Sequence, residues 1–145
     1  DDHLDLRVYS LGFLIAEVTE KNGIIKSIPE FSASRKALLV DGLKNSFLWW
    51  MIKNYEVSEE NGYYLLKNPM RKITIDRKTM IPVLQTIETE NGREIKILYE
   101  DPLESNGILY PSRMRIELSK NVLKVRIKTI GFLRNQDRDQ RQQRL

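Results

Sequence analysis

Apolar and polar residues alternate along much of this chain, a pattern typical of strands with one buried and one solvated face. The clearest alternation lies in the second half, over 95–99, 108–118 and 123–127, where the intervening positions carry mainly Glu, Lys, Arg and Thr. Further strand-like runs are 4–8, 11–18, 23–28, 62–66, 72–75 and 81–87. Asn-Gly pairs at 22–23 and 91–92 are strong hairpin signals. The pattern predicts an antiparallel meander with one apolar and one solvated face.

The segment from Ser32 to Lys53 changes to a helical period. Its apolar residues at helical spacing are Ala37, Leu38, Leu39, Leu43, Phe47, Trp50 and Met51. Asp41-Gly42 and Asn45-Ser46 interrupt this series, and serine is a favoured N-cap residue. The segment is therefore predicted to form two helices with a bend between them, the second beginning at Ser46.

Two prolines fall within predicted strands. Pro82 and Pro111 both occupy the phase of their strands that is expected to face solvent. Proline has no amide hydrogen to donate, so it is found at strand starts, edges and bulges. We therefore expect an open or bulged sheet near both residues. The polar stretch 101–107 between two strands is predicted to be an acidic hairpin connection.

The composition fits a single globular domain over 1–133, followed by a polar tail over 134–145. The tail carries four Arg and two Asp and so supplies half of the net charge of +4; the remainder is too small to indicate a nucleic-acid partner. The chain contains no Cys, which excludes disulfides and thiolate metal sites. Its longest apolar run, 47–52, is far shorter than the ~20 residues that span a bilayer.

Little in the sequence indicates catalysis. His3 is the only histidine, so the sequence offers a single candidate for the base that would activate a nucleophile. The carboxylate pairs Glu59-Glu60 and Glu100-Asp101 fall in predicted turns, where they are expected to be solvated and not to share a cleft. Glycine-rich phosphate loops and metal-ligand clusters are not apparent. The sequence predicts a non-enzymatic protein without a cofactor or a metal.

The order of elements follows a recognisable scheme. The second half begins with a strand at 73–76, a turn at 77–79 and a strand with proline near its start at 81–83, followed by the hairpin Asn91-Gly92. A strand ending at Tyr99 and an acidic loop come next, then a strand opened by Tyr110-Pro-Ser and a last strand at 122–129. In the first half, 6–12 is similar to a strand and glycine before a first hairpin, and 33–43 and 47–52 look like a helix pair. In this order the chain resembles the LolA/LolB family, in particular its uncharacterised LolB-related lipoproteins, over roughly residues 4–132.

The resemblance implies an α+β fold: a strongly curved antiparallel sheet that forms an unclosed barrel, with two short helices packed on its concave face. It also implies an apolar cavity between sheet and helices that receives acyl chains of lipoproteins or lipids. The location would be the periplasmic side of the bacterial cell envelope, with attachment to the outer membrane through an N-terminal anchor. Because the chain begins at Asp1 without Met, we expect a processed form or a fragment, and the family's opening helix, first strands and lipobox cysteine would precede it.

Apolar residues of the helices and of the inward strand phase are the candidates for this cavity. They are Leu39, Leu43, Phe47, Trp50, Met51, Ile75, Val83, Ile97, Tyr99, Tyr110, Met114, Ile116 and Val125. The alternative is that the same residues fill an ordinary close-packed core. Trp49 and Trp50 point about 100° apart on a helix, so one is expected to face the sheet while the other lies at the rim.

Two functions from different classes remain open. The first is a carrier or acceptor of acyl chains, with the helical segment 34–53 acting as a lid. The second is a structural or interaction module of a cell-envelope complex, which binds a partner protein through an open sheet edge or the tail. An open edge also permits pairing with a second copy of the chain.

Overall fold

The computed structural model describes residues 3–10 and 13–128; the predicted tail 134–145 lies outside them. The strands within these residues are β1 (His3–Ser10), β2 (Phe13–Lys21), β3 (Ile24–Ile28), β4 (Glu56–Glu60), β5 (Tyr63–Asn68), β6 (Arg71–Asp76), β7 (Pro82–Glu88), β8 (Glu94–Ser105), β9 (Ile108–Leu118) and β10 (Asn121–Arg126). The helical elements are α1 (Ala33–Ala37), a π-helical segment (Leu38–Gly42), α2 (Leu43–Phe47) and a 3-10 turn (Trp49–Met51).

The strands form two antiparallel sheets. β1, β2 and β3 are neighbours in a three-stranded sheet, and β4 to β10 follow one another in a seven-stranded sheet. In neither sheet do the first and last strands pair, so the described sheets are open. The predicted fold class is confirmed: a curved, unclosed antiparallel sheet with short helices.

The helical region begins at a cap and continues through the predicted interruption. The Ser32 side chain accepts a hydrogen bond from the Arg35 amide, which is the usual way to satisfy a first-turn N–H. Asp41-Gly42 does not end the helix but lies in the π-helical segment between α1 and α2. The prediction that Ser46 begins a second helix was wrong. Ser46 lies inside α2, and its hydroxyl donates to the Leu43 carbonyl oxygen at 2.7 Å, which leaves it unable to act as an N-cap.

The main core lies between this helical region and the last three strands. Leu38 packs there against buried residues of β8 and β9, namely Ile95, Ile97, Tyr99, Met114, Ile116 and Leu118. Gly42 makes the close approach possible, because a Cβ at this position would lie 2.7 Å from the Ile116 Cγ2 atom. A second cluster, formed by Ile52, Ile73 and Ile75, lies under Trp49, Tyr64 and Leu66.

The two prolines differ in their surroundings. Pro82 is fully buried, so its predicted outward orientation was wrong. A register shift between Thr74 and Ile75 places Pro82 opposite Ile75, and this irregularity is the bulge expected beside a strand proline. Pro111 lies half-buried in the β8–β9 ladder, opposite Pro102. The ladder is irregular beside it, because Asp101 has a φ of 50° and does not pair with Ser112, so the irregularity expected near this proline is present.

The hairpin between β8 and β9 is longer than its sequence suggests. The predicted connection 101–107 was too long: β8 continues to Ser105, and the turn is Asn106-Gly107, with φ of 52° and 78°. Positive φ at both positions is the type I′ geometry that Asn-Gly favours. β7 pairs with β8 only as far as Leu98, and β10 pairs with β9 only from Arg113 onward. The Ser112 carbonyl still accepts a hydrogen bond from the Ile127 amide, so residues 100–111 form a two-stranded arm about 20 Å long.

Among the described helices, none is both long and apolar enough to cross a membrane.

Substituting Gly42→Ala should destabilise the protein, although alanine ordinarily favours a helix by about 1 kcal/mol. The added methyl group would collide with Ile116, and overpacking of this kind costs about 1–3 kcal/mol. Urea unfolding should show a lower free energy of unfolding for the variant. In an Ile116→Ala background the obstructing Cγ2 atom is absent, so the same substitution should cost little. An equal cost in both backgrounds would contradict this explanation.

Candidate functional site

An apolar groove lies where the helical region ends. It is bounded by the end of α2 and the 3-10 turn on one side, by the β6–β7 turn on another, and by the β8–β9 arm on a third. Its volume is about 560 Å³, which falls within the range of roughly 300–1,000 Å³ of small-molecule sites. The large apolar side chains of its lining are Phe47, Leu48, Trp49, Trp50, Met80, Ile81, Ile108, Leu109, Tyr110, Met114 and Ile127. Within the described residues, no charged side chain lines this groove.

The two tryptophans connect the groove to the core. Their rings meet edge to face, with centroids 5.8 Å apart and an interplanar angle of 84°. Trp49 is half-buried and packs against the cluster of Ile52, Ile73 and Ile75. Trp50 is 60% exposed at the rim of the groove. The pair therefore presents one anchored and one accessible indole to the same groove.

The β6–β7 turn presents an apolar side chain on a strained backbone. Asp76 Oδ1 accepts hydrogen bonds from the amides of Lys78 and Thr79 and from the Thr79 hydroxyl, at 2.8–2.9 Å. The bonds from Thr79 hold the pKa of Asp76 below its ordinary value. Met80 follows with φ of 58°, an uncommon conformation for a residue other than Gly, Asn or Asp, and its side chain is 56% exposed at the groove rim.

A buried polar group, which we call the polar clamp, holds the end of the helical region on the sheet. It consists of Arg71 on β6, Gln85 on β7 and Tyr99 on β8. Arg71 Nε donates to Gln85 Oε1 at 2.7 Å, and Gln85 Nε2 lies 3.4 Å from the Tyr99 hydroxyl. Arg71 Nη2 also donates to the carbonyl oxygens of Asn45 and Trp49, at 3.2 and 3.3 Å.

The other two members complete the contact with α2. Gln85 Nε2 donates to the Asn45 carbonyl at 3.2 Å, and the Tyr99 hydroxyl donates to the Ser46 carbonyl at 3.1 Å. The last carbonyl groups of a helix have no partner within it, and a cation is favourable near that end. The polar clamp thus satisfies the end of α2 from the sheet side.

Burial affects the two ionisable members of the clamp in opposite directions. It lowers the pKa of the Arg71 guanidinium from its ordinary value, an effect that the neighbouring Tyr99 partly offsets. It raises the pKa of the Tyr99 phenol well above its usual range. Tyr99 therefore remains a neutral donor at any physiological pH, and Arg71 supplies the positive charge.

A second cavity, on the α1 side of the helical region, has a different chemistry. Its volume is about 390 Å³, and Asp41, Glu88, Glu90 and Arg93 contribute charged groups to its lining. Burial raises the pKa of Asp41, with further contributions from Glu20 and Glu90, while Lys44 opposes them. Among the described residues, no group of three or more His, Cys, Asp or Glu side chains is placed to hold a metal ion.

The structure divides the thirteen predicted cavity residues between several places. Phe47, Trp50, Tyr110 and Met114 line the groove. Five belong to the main core: Ile97, Tyr99 and Ile116 are buried in it, and Leu43 and Val125 pack against it. Ile75 belongs to the second cluster, and Val83 lines a small pocket beside Tyr99. Leu39 is half-buried and Met51 is exposed. Residues directly between helix and sheet thus form a packed core, and the open volume lies at its end.

Sequence reasoning missed several residues of the groove. Leu48, Met80, Ile81, Ile108, Leu109 and Ile127 all line it. Of these, Met80, Ile108 and Leu109 are exposed. Each is an apolar residue next to a turn, and this is the sequence signal that could have indicated an exposed apolar rim.

Comparison of the chain with family models, with curated proteins and with solved structures finds no match in any of the three. The likeness to the LolA/LolB family therefore depends on the sequence landmarks alone and stays a prediction.

Removing the charge of the polar clamp should cost more stability than removing an exposed charge. Arg71→Met leaves the Trp49 carbonyl and Gln85 Oε1 without their donor, for an expected loss of about 2–4 kcal/mol in the free energy of unfolding. The matched control is Arg77→Met, because Arg77 forms an exposed ion pair with Glu59, worth about 0–1 kcal/mol. Chemical denaturation should separate the two variants, and similar losses would contradict the role of the clamp.

The β6–β7 turn should weaken in acid. A carboxyl group with a lowered folded-state pKa stabilises the fold above its unfolded pKa, about 4, and this stabilisation is lost as pH falls through the folded-state value. Asp76→Asn removes the charge, so the difference in melting temperature between the native protein and this variant should be largest at neutral pH. It should shrink below about pH 4. A difference that does not change with pH would contradict the contribution of the carboxylate charge.

Proposed function

We propose that this protein is a non-enzymatic carrier or acceptor that binds the acyl chain of a lipid or lipoprotein in the apolar groove. The observation that carries the proposal is the composition of the groove, in which aromatic and aliphatic side chains line a volume of about 560 Å³ without a charged group. A site for an alkyl chain requires apolar surface and no specific polar partner. Burial of a methylene group contributes about 0.8 kcal/mol, so a few buried methylene groups suffice for measurable binding.

The rim of the groove also supports an acyl ligand. Phe47, Trp50, Met80 and Ile108 leave large apolar areas in contact with solvent around one opening. Contiguous exposed apolar surface of this kind commonly marks a site of interaction with a ligand, a membrane or a protein. An acyl chain that enters the groove would cover part of this surface.

The polar clamp limits how the site opens. In the proposal the helical segment 34–53 acts as the lid of the groove, and its end is held by hydrogen bonds from Arg71, Gln85 and Tyr99. A ligand that displaces the segment must break these bonds, and a ligand that enters beside Trp50 leaves them intact. Within this proposal the protein acts on the periplasmic side of the bacterial cell envelope, an expectation that depends on the resemblance to the LolA/LolB family alone.

Binding of a fluorescent fatty-acyl probe tests the proposal, since Trp49 and Trp50 are the only tryptophans of the chain and both line the groove. Energy transfer from them should report saturable binding that unlabelled fatty acid reverses. Ile108→Arg places a charge in the groove and should weaken binding at least tenfold, roughly the cost of losing about 1.4 kcal/mol.

Ile24→Arg is the matched control, because Ile24 is an exposed strand isoleucine outside the groove. This variant should bind the probe like the native protein. Absence of saturable binding by the native chain, or equal losses in both variants, would remove the support for an acyl carrier.

An interaction module is the second candidate, and one observation favours it. β3 is an edge strand of the three-stranded sheet, and its Ile24 and Ile28 are 65% and 73% exposed. Apolar side chains beside unpaired backbone groups suit the addition of a strand from a partner protein or from a second copy of the chain. Ile24→Arg would then abolish the association while Ile108→Arg would not, which is the reverse of the ligand-binding result.

A further inference from the structure

The outer face of the β9–β10 pair places like charges directly opposite each other. In the antiparallel register Arg126 lies opposite Arg113, and Lys124 lies opposite Arg115. All four side chains are exposed. We call these four residues the basic corner. Like charges at directly opposite positions of a sheet are destabilising, so this arrangement does not stabilise the fold by itself.

Acidic neighbours compensate only half of the basic corner. Arg113 pairs with Asp101 at 3.0 Å, and Arg115 pairs with Glu117 at 2.6 Å. Within the described part of the chain, Lys124 and Arg126 form no ion pair, and the next exposed residue in the same phase is Lys128. The outward residues 124, 126 and 128 at this edge of the sheet are therefore all basic, without an acidic residue among them.

The geometry points to the basic corner as a docking surface for the headgroups of an anionic lipid membrane. Charge complementarity carries this inference, because Arg and Lys bind phosphate oxygens and a row of them is attracted to an anionic bilayer. The four groups are spread over an exposed sheet face and line none of the described cavities, which suits an extended surface more than a single small anion.

Features of the same face disfavour a single-stranded nucleic acid. Proteins that bind single-stranded nucleic acids without a sequence preference use exposed aromatic side chains on which the bases stack. The tyrosines of β8 and β9, Tyr99 and Tyr110, are both buried on the inner face. The outward β8 residues opposite the basic corner are Leu98 and Glu100. The basic corner lies on the outer face, so docking there does not require an acyl chain in the groove.

Sedimentation of the full chain with vesicles tests the inference. The native protein should bind vesicles that contain phosphatidylglycerol and should not bind vesicles of phosphatidylcholine alone, and raising the salt concentration should release it. Each basic residue near an anionic surface contributes roughly a fivefold factor in affinity. The double variant Lys124→Glu/Arg126→Glu should therefore lose about 25-fold or more.

The same variant converts both like-charge pairs into pairs of opposite charge, so its melting temperature should not fall. The matched control is Lys21→Glu/Lys26→Glu, which changes the net charge equally on exposed residues of the three-stranded sheet and should keep vesicle binding. Residues 129–145 are identical in both double variants, so they cannot account for a difference between them.

Three results would overturn the inference: no binding of the native chain to phosphatidylglycerol vesicles, equal binding to neutral vesicles, or equal losses in the two double variants. If the first of these results is accompanied by binding to polyglutamate that Lys124→Glu/Arg126→Glu loses, the basic corner is assigned to an acidic protein and not to a membrane. Ile108→Arg separates this inference from the acyl-carrier proposal, because that variant should lose the fatty-acyl probe and keep the vesicles.

Discussion

The contact between the helical region and the sheet depends on the polar clamp. A helix that ends above a sheet leaves carbonyl groups without partners, and a buried polar group without a partner costs about 1–3 kcal/mol. Arg71, Gln85 and Tyr99 supply the missing donors from three neighbouring strands, and Gln85 is completely buried. Because one guanidinium bonds to Gln85 and to two carbonyl groups, the position of the helix end is tied to the register of β6, β7 and β8.

The position of the groove is set by the place where α2 ends on the polar clamp. Upstream, Gly42 lets the backbone approach Ile116 closely, and the space between helix and sheet is filled by the main core. Downstream, the 3-10 turn directs Trp49 toward the second cluster and leaves Trp50 at the rim. The β8–β9 arm continues beyond the neighbouring strands and lines one side of the groove, which the described helical elements leave open.

Alternate residues of the last three strands, β8 to β10, contribute to two different surfaces of the sheet. Their inward side chains are mainly apolar and are buried or half-buried under the helical region, whereas their outward side chains include the basic corner. Period-two geometry makes this division possible, since consecutive residues of a strand face opposite sides. The proposed acyl site and the proposed lipid-headgroup surface are therefore properties of different faces, and a substitution on one leaves the other intact.

The sequence by itself determined most strands of the second half and their antiparallel order, because alternation and Asn-Gly turns act over a few residues. The curved, unclosed form of the sheet was an expectation from the resemblance and not from the alternation. The sequence also indicated Phe47, Trp50, Tyr110 and Met114 among the groove residues. The tertiary structure decided which apolar residues fill a core and which border open space. Ile97 and Ile108 both belong to alternating strand runs, but Ile97 is buried in the main core and Ile108 is exposed at the groove. The tertiary structure also decided the burial of Pro82, which a register shift displaces from its apparent phase, and the place of Ser46 inside α2. The polar clamp was invisible for the same reason: Arg71, Gln85 and Tyr99 are separated in sequence, and only the pairing of their strands brings them together beneath α2.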